Sequence, residues 1–450
     1  MEIQTQIDRP IEGAPAVDHS IIADHSTPAP WSLARRIAFR FCLVYIVLYF
    51  FPFPFSFIYF LGFISEKYQS LWNVLVTWAG KHILHLSHGI TVLPNGSGDT
   101  TWNYVQVLCM VVLAVAVTLV WSFIDRNRVD YRKAYQWLRL LVRFTLASAL
   151  FTYGFDKAIP VQMPAPLLST LIEPYGESSP MGLLWTFIGA SRPYEIFTGL
   201  AEISAGLLMV LPRTTALGAL IAIADMLQVF MLNMCYDVPV KLYSFHLLAL
   251  SIFLIAPDLR RLGNLFFSGR QVALAKTPPM FARPGLNRAL LVAQVLLGAF
   301  LAFSASYFGY QGAKRYGFLA GRPPLYGLWS VDEYSVDGQV RPPLLDDDSR
   351  WRRVIFDAFP GSFAVQLPSG ARQRFRAQVD TDKKTLKLVK REDPNSTNDF
   401  SFEEPGPGLM TLKGTLDGHQ ILAKLRRMDE GDFQLTNRGF HWINEVPFNR

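Results

Sequence analysis

Hydrophobic positions along the chain fall into about seven long runs, at residues 38–63, 104–124, 137–158, 194–211, 214–234, 241–256 and 288–308. Each approaches the roughly 20 apolar residues that a helix needs to cross a hydrocarbon core. Beyond residue 326 the pattern changes to short alternating stretches, among them 351–356, 363–367, 372–379, 386–389, 409–416 and 420–425, separated by Asp-Gly, Pro-Gly and Ser-Gly turns. Alternation with a period of two, punctuated by such turns, predicts an antiparallel meander of about eight to ten strands, best closed as a barrel. The expected fold class is therefore a mainly α polytopic membrane bundle with an extracytoplasmic all-β domain at its carboxyl end. Its predicted divisions are a disordered cytoplasmic tail (1–35), two spans around an outer amphipathic segment (36–125), a four-span bundle (126–270), a cytoplasmic loop with a seventh span and linker (271–325), and the barrel (326–450).

Composition agrees with that class, since 50% of the residues are hydrophobic and only 18% are charged. An ordinary cytosolic enzyme is excluded. Basic residues set the orientation: with the amino terminus cytoplasmic, fifteen Lys and Arg fall on inner segments and five (Lys67, Lys81, Lys157, Arg192 and Lys241) on outer ones. This obeys the positive-inside bias and places the protein in an inner, cytoplasmic membrane with its carboxyl-terminal domain outside the cytoplasm. Residues 326–450 hold 18 basic and 19 acidic residues, so of the net +7 the membrane part carries +8 and the barrel −1. Topology explains the positive charge, and nucleic acid is not an expected partner; membrane lipid is. Cys42, Cys109 and Cys235 form no Cys-x-x-Cys pair, which argues against a thiol–disulfide relay within the chain.

Against this apolar background Lys157, Glu202, Asp225 and His246 each interrupt a different span. Ionisable groups at membrane depth are costly, so they mark a shared polar interior. Helical spacing puts Gly154 and Lys157 on one face of the third span with Tyr153 one turn away, Glu195, Thr198, Gly199 and Glu202 on one face of the fourth, Asp225 and Gln228 on one face of the fifth, and Tyr243 beside His246 on the sixth. Three readings stay open. The charged groups form a structural ion-pair network, or they bind a quinone headgroup with Tyr153, Gln228 and Tyr243 beside it and Lys157, Glu202, Asp225 and His246 as donors and proton carriers, or they line a route for a solute. In the quinone reading a separate redox partner protein supplies electrons; the alternative is a non-enzymatic binding or transport module for an apolar ligand.

The outer segments carry their own signals. His82, His85 and His88 recur every third residue after Trp72, Val76 and Trp78, which suits one flank of an interfacial helix and makes them candidate metal ligands. Asp99 or Thr100 is placed to cap the following helix. The prolines of Phe50-Phe51-Pro52-Phe53-Pro54-Phe55 bend the first span. Ser179-Pro180 reads as a helix start, followed by an apolar run, Met181 to Ala190, too short to span a membrane. At the far end, Arg438 is positioned to close over Trp329, and the aromatic tail 439–450 to dock as a strap.

Leu138-Arg139 leading to Tyr153-Gly154-Phe155-Asp156-Lys157-Ala158-Ile159-Pro160, then Ala201-Glu202-Ile203-Ser204-Ala205-Gly206-Leu207-Leu208 and Pro212-Arg213-Thr214-Thr215, resembles the DoxX/DoxD-like family over residues of about 137 to 267. That family is a four-span bundle related in name to the membrane subunit of thiosulfate:quinone oxidoreductase. The resemblance carries over the family's glycine and lysine onto Gly154 and Lys157, and its mid-helix acid onto Glu202, and it specifies fold more than reaction. Two amino-terminal spans, a seventh span and a soluble domain are additions to the pattern. Gly327-Leu328-Trp329 resembles the Gly-x-Trp start of lipocalin-like barrels.

Overall fold

A computed structural model describes residues 30–57, 59–87, 90, 92, 95–269, 278–393 and 395–449. Most of the predicted tail, His88 and part of the cytoplasmic loop lie outside the described residues. Helix α1, Leu33–Phe50, begins where the Ser32 side chain accepts from the Arg35 amide, and it ends before the two prolines. Pro52 and Pro54 offer no N–H to continue the ladder. The predicted single span 38–63 is therefore two elements, because after two short 3₁₀ turns a separate helix, α2, runs Gly62–His82.

The chain continues through α3 (Thr101–Ile124), α4 (Arg132–Ala158), a single turn α5 (Leu168–Leu171), α6 (Pro180–Gly189), α7 (Arg192–Val210), α8 (Thr215–Cys235), α9 (Lys241–Ile255), α10 (Leu259–Phe267) and α11 (Pro284–Tyr316). Among the described residues, five helical stretches are long and apolar enough to cross a membrane: α3, α4, α8, the continuous Lys241–Phe267 and α11. Helices α1 and α7, also predicted as spans, are not in this set; α1 carries Arg35, Arg36 and Arg40, and α7 carries Arg192, Glu195 and Glu202. The short apolar helix α6 forms as expected behind Ser179, whose hydroxyl accepts from the Gly182 amide at 3.1 Å.

Helix α4 packs on α7, α7 on α8, α8 on α9 and α9 back on α4, closing a four-helix bundle. Its core is built from residues such as Leu138, Leu146, Leu150, Phe151, Met209 and Leu254. Helix α11 lies against α4, and α1 and α2 pack on α3. Two buried arginines tie these parts together. The Arg143 guanidinium donates to the carbonyls of Met209 and Val210, the last turn of α7, and to Gln294 of α11. Those carbonyls have no intrahelical partner, so the arginine satisfies what the helix end leaves open. Arg40 of α1 donates to the Tyr131 hydroxyl, Ser122 Oγ and the Asp125 carbonyl at the α3–α4 corner.

Strands β1 (Gly327–Val336), β2 (Gln339–Val340), β3 (Arg353–Phe356), β4 (Ser362–Gln366), β5 (Arg372–Asp380), β6 (Thr385–Lys390), β7 (Thr397–Gly406), β8 (Leu409–Leu416) and β9 (His419–Arg427) pair antiparallel in chain order. Strand β1 also pairs with β9, Trp329 opposite Arg427, so eight strands close a barrel and β2 is a short spur on β1. The turns Asp337-Gly338 and Asp417-Gly418 hold positive φ at both residues, as two-residue hairpins require. Inward positions carry Tyr334, Trp351, Phe363, Phe375, Phe400 and their neighbours, all buried, and they fill the barrel.

The carboxyl end departs from expectation. Arg438 stacks 4.0 Å above the Phe448 ring, while the Trp329 indole donates to the Leu325 carbonyl at 3.3 Å. Phe440, Trp442, Ile443 and Val446 are exposed and do not dock on the barrel. Arg438 and Phe448 are ten residues apart on the same tail, so a local pairing replaces the long-range one.

Candidate functional site

The centre of the bundle is set by two glycines. A Cβ on Gly154 would lie 2.9 Å from the Gly199 carbonyl oxygen, and one on Gly199 would lie 2.5 Å from the Gly154 carbonyl oxygen and from the Ala158 amide nitrogen. With no side chain at either position, α4 and α7 approach backbone to backbone, and Lys157 and Glu202, one turn beyond on each helix, face each other. The Lys157 ammonium donates to Glu202 Oε1, with the two residues 7% and 1% exposed.

More acid surrounds this ammonium than one pair accounts for. Asp225 on α8 and Asp156 lie within electrostatic reach of the pair. Glu202 Oε2 and Asp225 Oδ2 are buried without a hydrogen-bond partner among the described residues. Glu195, two turns outward from Glu202, is fully buried: Oε1 accepts from the Met163 amide at 3.0 Å, Oε2 has no partner, and Lys157 again acts on it. Its seven-residue spacing from Glu202 is the signal that it belongs to this site; its burial by the segment between α4 and α6 is not readable from spacing.

Beside the cluster, a cavity of about 550 Å³ opens between the bundle and the α1–α3 unit. Tyr153 and Tyr243 form part of its wall with Tyr49, Tyr68, Gln106 and Thr152. The Tyr153 and Tyr243 rings stand 6.1 Å apart, and neither hydroxyl makes a hydrogen bond among the described residues. Tyr153 is in electrostatic reach of Glu202 and Asp156, and so links the cavity to the ion cluster.

The other expected site residues stand apart. His246 is stacked on Tyr49 with centroids 3.7 Å apart. Its Nδ1 lies 2.6 Å from the Leu242 carbonyl and its Nε2 2.6 Å from the Tyr45 hydroxyl, so both ring nitrogens are occupied by α9 and α1. A carbonyl can only accept, which makes Nδ1 the donor and leaves Nε2 to accept from tyrosine when the ring is neutral. Gln228 is exposed on the outside of α8. His82 sits in the last turn of α2 against Trp78, but the helix ends there, and His85 lies beyond it at φ 49°. The three-residue spacing therefore does not make a common helical face. Among the described residues no three His, Cys, Asp or Glu side chains are grouped to hold a metal ion.

Bundle, ion cluster and barrel define a class: a helical protein with five apolar helices of membrane-spanning length, a charged centre and an appended antiparallel barrel. The chain belongs to the family of the uncharacterized protein YwoB of Bacillus subtilis, with which it is 32% identical over 133 residues, 28% of this chain and 79% of that protein. No family model and no solved structure matches the chain.

Proposed function

We propose that the protein is an integral membrane component of quinone-linked redox chemistry, built on a DoxX-like bundle in the inner membrane with its site opening to the extracytoplasmic side. The observation that carries this reading is the cavity whose wall includes Tyr153 and Tyr243, whose hydroxyls have no hydrogen-bond partner among the described residues, with Tyr153 in electrostatic reach of Glu202. A bound quinone would accept two electrons and two protons. Tyr153 and Tyr243 would hold its carbonyls by donating hydrogen bonds, and the aromatic and amide wall would exclude charged competitors. Glu202 and Asp225, with their unpartnered oxygens, would hold and release protons, and Lys157 would keep the carboxylate charge tolerable at that depth. Electrons would come from a separate redox partner protein. Orientation follows the basic residues, with the amino terminus cytoplasmic and the barrel outside.

The competing reading, a binding or transport module for an apolar ligand, would use the same cavity, because aromatic side chains fill the barrel. Purification in mild detergent followed by identification of co-extracted molecules separates the two. A retained quinone, lost from folded Tyr153→Phe/Tyr243→Phe protein, is the expected result. Wild-type protein that carries no quinone, in membranes showing no protein-dependent quinone reduction, overturns the redox reading in favour of the binding one.

A further inference from the structure

The outer segment between α4 and α6 is held at two places by two different parts of the molecule. Near its start, the Met163 amide donates to the buried Glu195 carboxylate, the Gln162 carbonyl accepts from the Trp185 indole at 3.2 Å, and Met163 itself is buried among Leu184, Ile188 and Val238. The chain here runs so close to α6 that a Cβ on Gly189 would meet the Pro164 carbonyl oxygen at 2.2 Å. Met163 thus closes over the Glu195 carboxylate, which lies in electrostatic reach of Lys157.

A few residues on, the same segment is gripped by the barrel. Asp357, just after β3, accepts from the Leu168 amide at 3.2 Å and from the Ser169 amide and hydroxyl at 3.1 and 2.6 Å. Arg372 of β5 pairs with Glu173 at 2.7 Å, and the Gln366 amide donates to the Ile172 carbonyl at 3.3 Å. Leu168 and Ile172 lie on Leu328, Ile355 and Ala364, apolar side chains on the outer wall of the barrel. Alternation along a strand would normally turn polar groups outward at those positions. Here the wall is a docking surface for the segment.

We propose that residues 160–173 form a lid over the Glu195–Lys157–Glu202 cluster, and that the barrel is the latch that holds it shut through Asp357 and Arg372. The barrel acts on the site by position, gripping the segment five or more residues along the chain from Met163, which covers Glu195. Release of the latch frees the segment to lift Met163 away from Glu195 and opens the cluster to the outer solvent. The lid is a property of the packing and stands whether or not the cavity takes a quinone.

The test uses full-length protein in nanodiscs with Cys42, Cys109 and Cys235 replaced by alanine and a single reporter, Met163→Cys. A parallel preparation carries Leu388→Cys inside the barrel. Each is exposed to a water-soluble maleimide and its rate of modification followed. Asp357→Ala with Arg372→Ala should raise the Met163→Cys rate tenfold or more and leave the Leu388→Cys rate unchanged. Asp357→Asn, which keeps one acceptor oxygen, should give an intermediate rate. An unchanged Met163→Cys rate in a closed barrel overturns the latch. Should the Leu388→Cys reporter open too, the latch is cut from the other side with Ser169→Ala and Glu173→Ala; a raised Met163→Cys rate there supports the proposal and an unchanged one overturns it.

Discussion

The carbonyl oxygen of Gly154 occupies the space that a β-carbon on Gly199 would need, 2.5 Å from its ideal position. This contact decides how near Lys157 comes to Glu202. Gly199→Ala must push α4 and α7 apart, and strain of this kind typically costs about 1 to 3 kcal/mol. A lower midpoint in a thermal melt of the detergent-solubilised protein is expected. Gly176→Ala, where nothing lies within 4 Å of the added carbon, is the matched control and should change little. Equal melting of the two variants would remove the helix contact from the explanation of the site.

The Lys157–Glu202 pair should be coupled but not isolated. Lys157→Met alone leaves Glu202 and its acidic neighbours without their cation, a loss of about 3 to 5 kcal/mol, and adding Glu202→Leu should recover only part of it, because Lys157 also acts on Asp225 and Glu195. Under the proposed function, the folded double variant keeps quinone, held by Tyr153 and Tyr243, but loses protein-dependent quinone reduction. A double variant with full reduction would leave the pair as scaffolding.

Asp99 holds the α1–α3 unit against the bundle. Its carboxylate accepts from the backbone amides of Lys241 and Leu242 at 2.7 and 2.9 Å, the open donors at the start of α9, while Thr100 and Asn103 form the capping box of α3. Asp99→Ala should cost about 0.5 to 2 kcal/mol, the range for a lost cap. Hydrogen exchange should localise the loss to the first turn of α9. Faster exchange at the start of α3 instead would mean that Asp99 caps its own neighbour.

In the barrel, Asp337 is held below the usual carboxylate range, first by His419 Nδ1 at 2.8 Å and then by the Gln420 amide. A carboxyl with a depressed folded-state pKa adds stability above its unfolded value, here 3.8, and loses it as the pH falls through the folded value. Asp337→Asn should therefore be less stable than wild type at neutral pH, with the difference shrinking in acid. Asp337 is exposed, so the effect is small. Melts of both proteins at several pH values check the sign, and a gap that widens in acid would contradict it.

Hydrophobic patterning alone determined that the chain has apolar helices of membrane length followed by a strand meander, because helical and strand periodicities follow from backbone geometry and need no partner. Lys157, Glu202 and Asp225 were legible for a related reason: a charge within an apolar helix is conspicuous wherever the helix packs. Tertiary structure alone decided which of them meet. His246 looked equivalent in sequence, yet Tyr45 and Tyr49 of α1, some 200 positions away, take both its ring face and its Nε2. Asp99 and Thr100 were equal candidates to cap the helix that follows them; Thr100 does so and Asp99 caps α9, since a carboxylate satisfies whichever free amides lie within reach. Glu195 read as one more member of a helix face until Met163 closed over it. Outward-facing Leu328 and Ile355 had no stated purpose until Leu168 and Ile172 lay on them. Periodicity is local and survives in a one-dimensional record, while contact between distant segments depends on how closely backbones approach, as at Gly154 and Gly199, and exists only once the helices have packed.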